Sequence, residues 1–279
     1  MLTSAPPIVS VAALAARIPS AAKLVLPPDF SGCAMTAVLE LMRRPVRDLH
    51  IVGAPVVGFQ ADQLIGAGCV ARVESAAVTL SEHGLAPRFT AALKSGEIEM
   101  WDATCPAIHA GLQAAEKGVP FMPLRGLIGS DLLRVRPDWK VIDNPLAEPG
   151  MRDPIVVLPA IRPDVALFHA AKADAHGNVW IGIRRELMLM AHASKASLVT
   201  VEEIVDGNLL LDPALAPGTI PALYISALAV APQGAAPVGL DNCYAPDRAA
   251  LAAYAAAARN ADGFRDWLAR RLDAALVPA

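Results

Sequence analysis

The chain has 279 residues, a net charge of −3, 18% charged residues and 54% hydrophobic residues, of which few are aromatic. That length suits one large α/β domain or two small ones. No basic stripe is present and the pI is about 6.1, which argues against a nucleic-acid partner. The charge content lies below the usual share of about a quarter, as in a subunit that hides much of its surface or in an Ala-rich proteome.

In chain order, Met1 to Ser20 is an apolar N-terminal segment without a basic start, so it does not read as a signal peptide. Lys23–Pro28 reads as a strand stopped by two prolines. Helical spacing follows over Ser31–Arg44. Leu49–Ala54 is a second strand, Gln60–Gly66 a short helix and Val70–Ala77 a third strand. A helix over Gly84–Ser95 has Gly96 at its C-terminal cap. A strand over Glu97–Asp102 and a helix over Ala107–Lys117, closed by Gly118, come next. Pro154–Ala160 and Asp164–Ala170 are continuously apolar, as strands buried on both faces of a parallel sheet are. Arg184–Ser194 is a helix, and Ser197–Val205 and Leu223–Val230 are strands. The Ala-rich tail from Asp247 to Leu276 is helical with a break near Asn260–Gly263. Alternating β and α elements predict an α/β fold with a mostly parallel sheet and helices on both faces, here taken as one domain over residues 1–279.

The four cysteines are far apart, with no CxxC and no zinc-like spacing, which fits free thiols in a reducing compartment. The longest apolar stretch, Ile220 to Pro232, is broken by Pro221 and Ser226 and is too short for a membrane span of about 20 residues. A cytoplasmic protein with no metal and no membrane partner is expected.

Dinucleotide, ATP and serine-hydrolase templates all fail: the chain has no GxGxxG after a strand, no GxxxxGK[ST] and no GxSxG. What remains is loops at strand ends, where open α/β sheets bind ligands. Asp29-Phe30-Ser31-Gly32 follows the first strand. Ser31 is placed to cap the next helix, and the backbone N–H groups there face an anion or a thioester oxygen in the functional reading. Pro120–Leu132 offers Arg125, Gly126, Gly129, Ser130 and Asp131. Its glycines permit close backbone approach and its arginine suits a carboxylate, or else an Arg–Asp pair on a surface loop. Asp174-Ala-His-Gly177-Asn178 reads as a tight structural turn. Ala231–Tyr244, rich in Pro and Gly, rims a pocket or covers a partner. Glu202 and Glu203 point to opposite strand faces, so they do not form an acid/base pair, and one facing inward needs a partner. His109 and His192 fall within helical segments and read as packed or surface residues.

GVPFMPLRGLIGSDL (118–132), HAAKADAHGNVWIG (169–182), SLVTVEEIV (197–205) and APQGAAPVG followed by Tyr244 and Asp247 (231–247), in this order and spacing, resemble the signature segments of family I CoA-transferase A subunits of the glutaconate CoA-transferase type. The resemblance spans about Leu24 to Tyr254. It implies a three-layer, Rossmann-like α/β/α fold of the sugar-isomerase/CoA-transferase kind and pairing with a B subunit. It further implies that a B-subunit glutamate is the nucleophile, passing CoA from an acyl-CoA to a carboxylic acid through a glutamyl-CoA thioester. No catalytic residue is then expected in this chain. CoA is a substrate rather than a cofactor, and Phe30, Ser31, Gly32, Arg125, Gly126, Gly129, Ser130 and Asp131 are the substrate-binding candidates.

The chain departs from the family pattern at Asp29–Gly32, where a Gly-Gly-Phe turn is common, and at Gly234-Ala235-Ala236-Pro237, which lacks the usual histidine. Glu82-His83-Gly84 superficially resembles the B-subunit nucleophile motif, although a surface acid ahead of a helix is its plainer reading. Related hydrolases open cyclic CoA thioesters with a carboxylate of the equivalent subunit as base. Asp102 is the candidate for that role, against a helix N-cap for Ala107 onward. A non-catalytic partner of a B-like subunit is the remaining alternative.

Overall fold

The computed structural model describes residues 5–274. In chain order the elements are α1 (Val11–Ala15), β1 (Lys23–Leu26), α2 (Met35–Arg43), β2 (Leu49–Gly53), α3 (Phe59–Gly66), β3 (Val70–Ser75), α4 (Pro87–Ser95), β4 (Glu99–Asp102) and α5 (Cys105–Glu116). Then come β5 (Phe121–Leu124), α6 (Leu132–Val135), β6 (Lys140–Asp143), β7 (Pro154–Pro159), β8 (Val165–Asp174), β9 (Val179–Trp180) and α7 (Arg185–Ala193). The last are β10 (Ala196–Val205), β11 (Thr219–Ile220), β12 (Ala227–Val230), α8 (Arg248–Ala257) and α9 (Ala261–Ala274).

Seven strands pair in parallel in the order β12-β10-β8-β1-β2-β3-β4, and β9 and β11 add antiparallel to the far end of β8. Alternate side chains of a strand point to opposite faces, and the two apolar cores follow this rule. Leu24 and Leu26 of β1 pack into one, with Val38, Leu64, Leu251 and Tyr254 of α2, α3 and α8. Val25 packs into the other, with Ile108 of α5 and Met190 of α7. The sheet is therefore buried on both faces, which explains why β1 and β8 read as unbroken apolar runs.

Local chemistry sets the ends. Pro27 and Pro28 have no N–H to continue β1. Pro87 opens α4, and Gly96, at φ +75°, closes it. The α8 cap is Asp247, whose carboxylate accepts from Ala250 N–H at 2.9 Å. The break between α8 and α9 falls at Ala258–Asn260, and the expected helical tail beyond residue 274 lies outside the described residues.

The structure corrects several expectations. Pro154–Pro159 is no strand of the parallel sheet; it is the middle of a separate antiparallel sheet, β5-β7-β6. Its apolar character comes from one face, where Val156 and Leu158 pack into the second core. Ser31 does not cap α2, which starts at Met35 behind Ala34 without a side-chain cap. Nor does Asp102 cap α5, because Thr104 Oγ1 takes the Ala107 N–H at 3.3 Å. The last strand is shorter than Leu223–Val230, since a 3-10 turn occupies Ala222–Tyr224. Among the described residues no helix is long and apolar enough to cross a membrane.

Candidate active site

From β1 the chain builds β2, β3 and β4 on one side of the sheet and later β8, β10 and β12 on the other. The order thus reverses between β1 and β8, and the crevice beyond their carboxyl ends is the place where such sheets bind ligands. The loop after β1 fills it. Ser31 N–H donates to the Pro28 carbonyl at 3.2 Å, and Phe30 and Gly32 hold φ of +65° and +86°. The Gly32 carbonyl accepts from His169 N–H of β8 at 2.7 Å. A Cβ on Gly32 would stand 2.2 Å from the His169 carbonyl oxygen, so the close approach and the left-handed backbone both require glycine there.

Asp29, which departs from the family pattern, has a role of its own. The N-cap position of α3 is Gly58, which has no side chain to cap with. The Asp29 carboxylate instead accepts from Phe59 N–H, at 3.1 Å through Oδ1. Asp29 therefore caps the neighbouring helix from the crevice loop. Burial pushes its carboxyl up to about 7, with Asp62 adding to the rise and the Phe59 N–H opposing it.

Phe30, Gly32, His169, Trp180, Leu187 and Leu240 line the crevice, whose volume is about 30 Å³. That is room for one or two waters. An ion pair between Arg184 and Asp241 stands at its rim. Beside them Ile183 is 82% exposed.

Behind the crevice lies a polar cluster. His169, fully buried, places Nδ1 2.8 Å from Thr200 Oγ1 and Nε2 2.6 Å from Glu202 Oε1. An ionised carboxylate only accepts, which assigns a proton to Nε2; in the neutral ring Nδ1 then accepts from the Thr200 hydroxyl. Tyr244 OH donates to Glu202 Oε1 at 2.7 Å and accepts from Ala235 N–H at 2.9 Å. Gln233 N–H donates to Glu202 Oε2 at 2.6 Å. Burial raises the Glu202 carboxyl, but the hydrogen bonds from His169, Tyr244 and Gln233 outweigh it and hold the group below the usual carboxylate range. Burial and the adjoining carboxylate push the Tyr244 phenol up. Glu202 is therefore an engaged acceptor rather than a free nucleophile or base.

The sequence candidates fall in different places. Phe30 and Gly32 line the crevice, and Ser31 is buried between them. The second group sits on the antiparallel sheet and its loop. Arg125, itself exposed, pairs with a half-buried Asp153, and the Asp153 carboxyl falls to about 2, held by Arg125 and by Asn144. Gly129 has φ +82°, Ser130 bonds the Leu127 carbonyl, Asp131 pairs with Arg134, and Gly126 has open space around it. Glu82 pairs with Arg248 on the surface. Asp102 ends β4, its carboxylate accepting from Ala103 N–H at 2.9 Å. The Asp174–Asn178 turn is structural, as expected: Asp174 accepts from His176, Asn178 and Leu209 N–H groups. The Ala231–Tyr244 loop rims the crevice through Leu240, Asp241 and Asn242, and through Gln233 and Tyr244 it borders a second cavity of about 290 Å³. His169, Glu202 and Tyr244 escaped the sequence reading as a group, although the adjacent acids signalled that one of them needed a partner. Among the described residues no three His, Cys, Asp or Glu side chains converge as a metal-ligand set.

Comparison with known proteins agrees with this geometry. The family model described as coenzyme A transferase matches residues 12–222. The A-type subunit of a 3-oxoadipate CoA-transferase from Pseudomonas knackmussii is 32% identical, over 82% of this chain and 80% of its own length. The A-type subunit of glutaconate CoA-transferase from Acidaminococcus fermentans is 31% identical over 83% of this chain and 78% of its own. The crystal structure of the enzyme from that organism superimposes with a TM-score of 0.85, at 27% identity over 94% of this chain and 87% of that one. The decarboxylase AibA/AibB gives a TM-score of 0.81 at 29% identity, covering 96% of this chain and all of the other. Against an uncharacterised protein of Archaeoglobus fulgidus, 31% identical, the chain spans about half of the relative's length, 52%. With the parallel sheet, the crevice at its reversal point and the matched span all in accord, the chain belongs to the coenzyme A transferase family, among the proteins named as its A-type subunits.

Proposed function

We propose that the chain is one half of a heteromeric CoA-transferase, moving CoA between an acyl-CoA and a carboxylic acid, with the reactive glutamate on a B subunit. The observation that carries this reading is the state of the carboxylates at the crevice. Glu202 is held by three donors and so is not free to attack a thioester, while Asp241 stands half-exposed at the rim in a surface pair with Arg184. The crevice, at about 30 Å³, is also far below the roughly 300 Å³ at which small-molecule pockets begin. A second chain closing over its rim supplies both the missing volume and the missing nucleophile. The names of its relatives, as A-type subunits, support such a partner.

In this scheme the partner's carboxylate attacks the thioester carbonyl and the CoA thiolate leaves, giving a mixed anhydride. The thiolate then attacks the glutamyl carbonyl, the first acid departs, and the acceptor acid repeats the two steps in reverse. CoA enters and leaves as a substrate, and no prosthetic group is needed. Phe30, Ser31 and Gly32 supply the chain's wall of the site. The test is to express the chain with and without a B-type partner and to follow CoA exchange from acetyl-CoA to a panel of carboxylic acids. Exchange is expected only with both chains present. Full exchange by this chain alone would overturn the division of labour.

A further inference from the structure

We infer that Glu202 is a positioning residue, whose carboxylate fastens the Ala231–Tyr244 loop to the sheet and thereby sets the rim of the crevice.

Gln233 and Tyr244, eleven residues apart, enter and leave the loop, and both close on the same carboxylate. Gln233 N–H bonds Oε2 at 2.6 Å and Tyr244 OH bonds Oε1 at 2.7 Å. The tyrosine hydroxyl also takes the Ala235 N–H at 2.9 Å, so two points of the loop bond the carboxylate directly and a third is tied to it through Tyr244. The inner face is equally tight. A Cβ on Gly234 would stand 2.5 Å from His169 Cε1, while the Gly234 carbonyl accepts from Thr36 N–H at the start of α2 at 3.1 Å. His169 is in turn held from two sides, by Glu202 through its ring and by the Gly32 carbonyl through its backbone N–H. The carboxylate thus connects the Phe30–Gly32 loop with the loop that brings Leu240, Asp241 and Asn242 to the crevice.

A carboxylate is specifically required. Donors reach both of its oxygens, and only an ionised acid accepts at both. In Glu202→Gln one oxygen becomes an NH₂. Turned toward Gln233 it faces a fixed N–H donor and that arm is lost; turned toward His169 and Tyr244 it keeps its bonds only if the imidazole moves its proton to Nδ1 and the phenol stops donating. Either way the present pattern of donors is broken while the volume stays the same.

The turnover arm of the test rests on the transferase reading; the exchange arm does not. Amide hydrogen exchange is followed over residues 233–247 in wild-type, Glu202→Gln and Tyr244→Phe chains, each with its B subunit, together with steady-state transfer from acetyl-CoA. Glu202→Gln is expected to speed exchange in that segment by about tenfold. The kcat falls by about tenfold or more, with KM for acetyl-CoA held within about twofold, because a displaced rim misaligns the reacting groups. Tyr244→Phe, which removes a single hydroxyl, gives a smaller change of the same kind and serves if Glu202→Gln does not fold. A merely structural glutamate would lower the melting temperature and leave the kcat of the folded complex unchanged. Unchanged exchange in both variants, or faster exchange with unaltered kcat, overturns the inference. A wild-type complex without turnover overturns the transferase reading instead, and the exchange result alone then decides the fastening.

Discussion

The carboxyl edge of the parallel sheet and the small antiparallel sheet β5-β7-β6 both carry paired charges, but in different media. At the sheet edge, the pair that joins the two regions is withdrawn from water. Glu74 of β3 meets Arg136 at 2.7 Å with both side chains nearly inaccessible. The Arg136 guanidinium also bonds Asp138 and lies over the Trp139 ring, 4.4 Å from its centroid. On the antiparallel sheet, Arg125 reaches a half-buried Asp153 from solvent and every residue of β6 is exposed. A count of ion pairs treats the two regions alike. Burial separates them, because a broken buried pair strands a charge away from water, whereas a broken surface pair returns both groups to it.

The largest effect belongs to the buried pair, which joins the two regions, since Arg136 follows α6 in the excursion that contains the small sheet and Glu74 belongs to the large one. Glu74→Ala is expected to lower the unfolding free energy by about 3 kcal/mol, the low end for such a pair because Asp138 still faces the guanidinium. Urea unfolding measures it. The comparison breaks if the loss is as small as that of an exposed pair. There is a pH signature as well. Burial raises the Glu74 carboxyl, but His50 and Arg136 outweigh it and the net shift is downward. Its contribution is therefore present above the unfolded carboxylate pKa and disappears as pH falls through the lower folded value.

A smaller effect of opposite sign comes from Asp29. Its folded carboxyl keeps a proton up to about 7, whereas in the unfolded chain it ionises near the ordinary value of 3.8. Between those values the folded state holds the extra proton, so this group makes stability fall as pH rises and then level off. The fall is on the order of a few kcal/mol, set by the gap between the folded and unfolded values. Asp29→Asn keeps an oxygen for the Phe59 N–H and removes the titration. Its stability advantage over wild type should grow between about pH 4.5 and about pH 7.5 in urea unfolding. Parallel curves would mean that the loop leaves Asp29 solvated.

The same contrast governs what the sequence disclosed. Elements whose period and punctuation act locally were legible: β1 with its two prolines, α4 up to its Gly96 cap although it begins at Pro87 rather than Gly84, and the Asp174–Asn178 turn. Pro154–Pro159 was misassigned to the parallel sheet because one buried face plus prolines reads the same as two buried faces. At the site, the loop after β1 was legible from its place behind a strand. Its mechanics were not, because Asp29 caps a helix 30 residues away and Glu202 meets His169 across two paired strands. Adjacency of Glu202 and Glu203 drew attention to the pair, yet only parallel pairing of β8 with β10 sets the buried imidazole beside the right one.

The smallest effect is expected at Arg125, and it tests the other side of the contrast. The guanidinium stands in solvent with Asp153 already in its fork, and Asn144 holds that carboxylate from a second direction at 2.7 Å. Arg125→Ala should leave the urea midpoint unchanged within measurement, and added salt should weaken the wild-type pair further, since exposed charges are screened within about 10 Å at moderate ionic strength. A carboxylic acid binding at Arg125 must first displace Asp153, an intramolecular competitor present at every encounter. The variant's KM for the acceptor acid is therefore expected to match that of wild type in the complex with the B subunit. A severalfold rise in KM with unaltered stability would show that Asp153 yields to the ligand once the partner is in place, and would move the small sheet from the periphery into the site.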